Sequence, residues 1–349
     1  MIDVSAAILN QLVIHRVGNQ SKDEGFFISN DMAIIDQPLS ELLLDYFLNS
    51  FTQATETYQF VHNVDINMNV VYHSAKHAFE DPATAHEQST NILRHLYDQS
   101  RHPHIKAGDL FVATFDNILL HDELVSAIGI FKSENKDSFI TLKENDNRIM
   151  INKEMGIGTR RIDKGCLILE TDMAEGYRLF SIDHNNYDAD YWMRQFLGID
   201  YIKDDNFDTK AYLDFCKSFS EEVVKEKLDK KGQIDFLNQS VRYLEESETI
   251  DVEEFKNTIF EDEELKKDFD AYKKSFEANN NLEIKEKFEV SAVVLKKQKK
   301  KLKSLIQLDT GIKIKLDFQN TESVDRFIHK GYDMERGMQF YKVYFNTEK

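Results

Sequence analysis

Branched apolar residues crowd the opening stretch "AAILNQLVIHRVG", the polar run "NQSKDEG" interrupts them, and "FFIS" resumes the pattern, which predicts two strands joined by a turn. From Pro38 the period changes. Leu39, Leu42, Leu43, Tyr46, Phe47 and Phe51 fall at three-and-four spacing behind a proline suited to a first helical turn, predicting a helix whose Leu/Phe face packs on the sheet. "NMNVVYHSAKHAFED" and "ATAHEQSTNILRHLYDQS" read as two further helices separated at Pro82. Beyond "RHPHIKAGD" the runs "DLFVATFD", "ELVSAIGIFKS", "DSFITLKEN", "NRIMINKE", "GCLILETD" and "YRLFSID" are short, apolar and punctuated by Asp, Asn, Gly and Lys, which predicts an antiparallel meander.

A helix is expected at "DADYWMRQFLGID", and helical spacing then dominates in "CKSFSEEVVKEKLD", "IDFLNQSVRYLEES" and "VEEFKNTIF". The last sixty residues return to strands, "KFEVSAVVL", "SLIQL", "IKIKLDF" and "QFYKVYFN", with Asp309, Thr310 and Gly311 signalling a hairpin between the second and third. Alternation places Ile312, Ile314, Leu316 and Phe318 on one face of that strand and Lys313 and Lys315 on the other. The fold class expected is α+β. An N-terminal antiparallel sheet with packed helices occupies residues 1–200, and an acidic helical segment with a small, basic C-terminal β-hairpin region occupies 201–349.

Charge sharpens this division. The 349-residue chain carries a formal charge of −18, which repels nucleic acid and anionic membrane unless a local basic surface overrides it. Lys217–Glu289 holds 21 acidic and 13 basic residues, whereas Val290–Lys315 holds eight lysines and one aspartate. Six of those lysines, Lys296, Lys297, Lys299, Lys300, Lys301 and Lys303, stand within "LKKQKKKLKS", and Lys313 and Lys315 follow on the hairpin. Clustered lysines suit phosphate by releasing condensed counterions, and the absence of arginine removes the bidentate guanine contact, so binding through them would be weakly sequence-specific. The plainer alternative is a solvated run balancing the acidic helices.

Other constellations are weaker. His73 and His77, four apart with Glu80, Asp81 and His86 nearby, have zinc-like spacing, but "HSAKH" lacks the glutamate of a metalloprotease helix; no metal is expected there or at His102 and His104. "MGIGTRRIDKG" matches no phosphate-loop or dinucleotide pattern and reads as a turn, leaving Arg160 and Arg161 as a secondary phosphate contact. Cys166 and Cys216 are too few and too far apart for a disulfide framework, no nucleophile elbow is present, and nothing argues for an enzyme or a cofactor. No signal peptide or 18-residue apolar stretch is seen, so a soluble, cytosolic protein with no membrane attachment is expected.

The order of "ILNQLVIHRV", the acidic-apolar first helix, "DLFVATFD", "DADYWMRQFLGID" with its Phe196-Leu197-Gly198, the acidic helices and "IKIKLDF" resembles the bacterial nucleoid-associated protein family of the NdpA/YejK type over essentially the full length. The resemblance implies a cytoplasmic protein associated with the chromosome, with no cofactor and no catalytic residues to carry over. Double-stranded DNA is then the expected partner. The alternative is an acidic interaction module that docks on chromosome-processing proteins without touching DNA.

Overall fold

Alternation along the central strands decides the architecture of the first half. In β5 (Gly108–Leu120), Leu110 and Val112 are buried on one face and Phe111, Ala113 and Phe115 on the other, so the sheet must be covered on both sides. The computed structural model, which describes residues 2–145, 148–185, 190–317 and 327–347, supplies both covers. Among the described residues nine strands form one antiparallel sheet: β1 (Ile2–Asp3), β2 (Ile8–Val17), β3 (Phe26–Phe27), β4 (Tyr58–Phe60), β5, β6 (Glu123–Ser133), β9 (Lys164–Leu169), β10 (Arg178–Asp183) and β11 (Ile199–Tyr201). Its order is β11-β4-β10-β9-β6-β5-β2-β3, with β1 also paired to β5.

The helix α1 (Gln37–Leu48) lies on one face; α2 (Val70–Glu80) and α3 (Ala85–Gln99) lie on the other. Asp36 caps α1, accepting from the Leu39 amide at 3.0 Å, and Pro38 sits in its first turn as expected. The expected apolar face is only half used, because Tyr46, Phe47 and Leu48 are buried while Leu39 and Leu42 are exposed. Phe47 stacks on Phe131 of β6 at 4.4 Å between centroids, fixing the helix to the sheet. Opposite, Val71, Tyr72, Ile92, Leu93 and Leu96 pack with Trp192, which lies in a wide π-type helix, Asp190–Leu197.

The meander is not continuous. Among the described residues β7 (Asp137–Asn145) and β8 (Arg148–Gly156) pair only with each other, leaving the sheet after β6 and returning at β9. The reason lies in composition: β9 is buried along its whole length, whereas β7 and β8 interleave Lys, Glu, Asn and Arg with their apolar residues and cannot be covered on both faces.

The second unit, Lys203–Lys349, folds around its own phenylalanine core; the first is Met1–Ile202. Its helices are α4 (Asp205–Phe219), a short α5 (Lys225–Lys227), α6 (Lys230–Glu246), α7 (Val252–Ile259), α8 (Glu263–Asn280) and α9 (Ala292–Lys301). Phe269 meets Phe215 edge-on at 4.9 Å and Phe219 at 5.3 Å, while Phe236 stacks on Phe260 at 5.4 Å. Part of the acidic excess is capping: Asp204, Asp251 and Asp262 accept amide hydrogen bonds at the starts of α4, α7 and α8. Among the described residues the unit also holds three small ribbons: β12 (Thr249–Asp251) with β13 (Lys287–Glu289), β14 (Lys303–Gln307) with β15 (Lys313–Asp317), and β16 (Ile328–Asp333) with β17 (Met338–Val343).

The single strand expected at "KFEVSAVVL" does not form: the segment ends as β13 and restarts as α9, because Ser291 caps a helix, its Oγ accepting from the Val294 amide at 3.3 Å. Among the described residues no helix is long and apolar enough to cross a membrane.

Candidate nucleic-acid interface

The lysine block begins as the second half of α9. Val294, Gln298 and Leu302 repeat every four residues with Leu295 beside them, all buried, so this stripe faces the core and Lys296, Lys300 and Lys301 are turned outward. Leu302, in extended conformation, then leads directly into β14. Leu295, Leu302 and Ile306 belong to the phenylalanine core, which gives the basic segment a rigid base rather than the freedom of a linker.

In the β14–β15 ribbon the register pairs Lys303 with Asp317, Leu305 with Lys315 and Gln307 with Lys313. Ser304 and Ile306 are buried and Ile314 and Leu316 partly so, while Lys303, Lys313 and Lys315 are exposed on the other face. Leu308 accepts the Gly311 amide at 3.1 Å across the Asp309-Thr310 turn, and Gly311 adopts the φ of +83° that the turn requires. Ile312, expected on the inner face, is exposed at the turn, and Phe318 lies outside the described residues.

The eight lysines are not equivalent. Lys296, Lys300, Lys301, Lys303, Lys313 and Lys315 are exposed. Lys297 is half-buried, and Lys299 is ion-paired with Glu245 of α6. Its side chain is only 12% exposed, so Lys299 ties α9 to the bundle. Lys299, Lys300 and Lys301 also occupy the last turn of α9, where positive charge complements the helix dipole.

Arg160 and Arg161 are exposed in the connection from β8 to β9, in the first unit, whereas the lysines belong to the second. His73 and His77 do meet, with Nε2 atoms 3.1 Å apart and Glu80 3.7 Å from His77 Nδ1. His86 instead contacts the Ser29 carbonyl at 2.7 Å, Asp81 caps the next turn at Ala83, and no three-ligand cluster exists among the described residues. Cys166 and Cys216 are buried free thiols whose pKa values burial pushes up.

An ionic network in the first unit has almost no signature in the sequence. Lys132, wholly buried on β6, donates to Glu134 at 2.9 Å and to the Lys106 carbonyl at 2.6 Å; Asn185 donates to the other Glu134 oxygen at 2.7 Å. Lys164 pairs with Asp183 at 2.6 Å, and Asp163 accepts from the Glu134 and Asn135 amides at 2.7 and 3.1 Å. Burial lowers the Lys132 pKa, and Glu134 opposes that shift. The cavity beside the network, lined by His104, Lys106, Glu134, Lys164, Asn185 and Tyr191, holds about 20 Å³, room for a water molecule but not a substrate. Its one sequence signal is Lys132 directly after the apolar run Ala127–Phe131.

No curated protein matches the chain. The family model described as nucleoid-associated protein YejK matches residues 13–336, reaching from β2 through the lysine helix and hairpin to the last ribbon, and the chain belongs to that nucleoid-associated family.

Proposed function

We propose that this nucleoid-associated chain is a non-enzymatic, cytoplasmic protein that binds double-stranded DNA with weak sequence specificity, gripping phosphates through its C-terminal lysines. The observation that carries the reading is the set of six exposed lysines, Lys296, Lys300, Lys301, Lys303, Lys313 and Lys315, on elements anchored in the core; Lys296, Lys300, Lys301, Lys313 and Lys315 have no acidic partner among the described residues, and Lys303 stands opposite Asp317 in the ribbon register. A mobile ammonium on a fixed base gains counterion-release energy without losing much chain entropy. Lys299 and Lys297 then act as supports, and Arg160 and Arg161 as a secondary contact made by the first unit.

The test is fluorescence-polarisation titration of random duplex DNA with the intact protein and with a variant carrying Lys300, Lys301, Lys303, Lys313 and Lys315→Gln. Affinity is expected to fall alike on unrelated sequences. Unchanged affinity would remove this surface from the account. An intact protein that ignores DNA at physiological salt but co-purifies with a chromosome-processing protein would favour the interaction-module reading, to which the Lys299–Glu245 pair lends support by spending one lysine internally.

A further inference from the structure

The β7–β8 ribbon has two unlike faces. On one, the Phe139 ring lies against Gly156, Thr141 donates to Glu154 at 2.9 Å and Lys143 lies 3.9 Å from the same carboxylate, so polar groups interleave with the half-exposed Phe139 and Met150. On the other, Ile140, Leu142, Ile149, Ile151 and Met155 are 57 to 74% exposed. A two-stranded ribbon is marginal in water by itself, and one that lays five large apolar side chains along one uncovered face lacks the second layer that would stabilise it.

We propose that this face docks on the same face of a second copy of the chain, as an antiparallel two-fold stack. The register supplies the argument. Leu142 pairs with Ile151 at the centre, flanked on one side by Ile140 with Lys153 and on the other by Glu144 with Ile149. Each flanking row holds one isoleucine and one charge, and the charges have opposite sign. Turning a second ribbon end for end about the central row sets apolar row on apolar row and brings each Glu144 near Lys153 of the second copy, at the spacing of about 10 Å between stacked sheets that long side chains bridge. Neither Glu144 nor Lys153 has an ion-pair partner among the described residues. A DNA phosphate would find mainly apolar side chains here, and a partner of one charge sign would meet a like charge in one of the flanking rows.

Size sets the strength. Two nine-residue strands make a face about 30 Å long and about 10 Å wide. That footprint, about 300 Å² per copy, is below the roughly 800 Å² of a standard interface, so the dimer is a weak, reversible one.

Sedimentation equilibrium of the full chain, without DNA, from about 1 to about 200 μM tests this independently of nucleic-acid binding. The protein should dimerise with concentration. Leu142→Lys and Ile151→Lys, at exposed positions that leave the core untouched, should each raise the dissociation constant by about tenfold or more with an unchanged circular-dichroism spectrum. Glu144→Lys and Lys153→Glu should each weaken the dimer, and their combination should recover it. A monomer throughout, or a dimer that the apolar variants do not weaken, overturns the proposal; a double charge swap as weak as the singles overturns the antiparallel stack.

Discussion

Replacing Lys132 by methionine removes one ion of a buried pair while keeping the length of the side chain. Lys132 and Glu134 are 0 and 4% exposed at their side chains, with Nζ 2.9 Å from the carboxylate. At an effective dielectric of about 20, attraction at that distance is about 6 kcal/mol, comparable to the several kcal/mol of desolvation that each ion costs. The pair as a whole therefore contributes little net stability. Breaking it is another matter: Glu134 keeps the Asn185 amide as its side-chain partner, the Lys106 carbonyl loses its donor, and the expected cost is about 3–5 kcal/mol. For a unit of this size that lowers the melting temperature by about 6–20 °C. Glu134→Gln in the same background keeps an oxygen for Asn185 and discharges the site, so the double variant should recover at least about 1–3 kcal/mol relative to the sum of the singles. Differential scanning calorimetry of the full chain, resolving the transition of the first unit, is the assay. A Lys132→Met shift below about 2 °C, or strictly additive costs, would refute the reasoning.

The remaining expectations are simpler. His15 is buried, its Nε2 2.9 Å from Ser89 Oγ and its Nδ1 accepting the Ser29 amide at 3.1 Å, and burial first, with His86 second, pushes its pKa down to about 4. The unfolded imidazole protonates near 6.5, so its contribution is intact above about pH 6.5 and is lost as pH falls toward 4, by up to about 3 kcal/mol; His15→Gln should flatten that part of a stability-versus-pH curve. Leu302→Ala should destabilise the second unit by about 2–4 kcal/mol in urea unfolding, since Leu302 joins the lysine helix to the phenylalanine core. Gly176 has φ +109° and its added Cβ would stand 2.4 Å from the Phe60 carbonyl, so Gly176→Ala should lower the first transition by about 2 kcal/mol or more.

Elements with local punctuation were legible in the chain. The Pro38 start of α1 and the Asp309-Thr310-Gly311 turn follow from a few residues each, and the structure has both where their chemistry puts them. The lysine helix was not, because Val293, Val294 and Leu295 have strand-like composition and only Ser291 marked a cap. Neither was the departure of β7 and β8, since Ile140 and Leu142 alternate as a half-buried strand does, and alternation says which face is apolar without saying whether anything covers it. The eight lysines looked alike in sequence; the partner that withdraws Lys299, Glu245, lies 54 residues away, beyond the reach of a local pattern. The Lys132 network is non-local for the same reason, its members coming from β6, β9, β10 and the connections beside them.

The central claim, that phosphates are held by the C-terminal lysines, is tested most directly by the salt dependence of binding to random duplex DNA. The logarithm of the affinity should fall linearly with the logarithm of salt concentration, and the five-lysine variant should show a slope shallower by about 0.9 for each phosphate it no longer engages, up to about 4.5. Equal slopes for the intact protein and the variant would contradict the account.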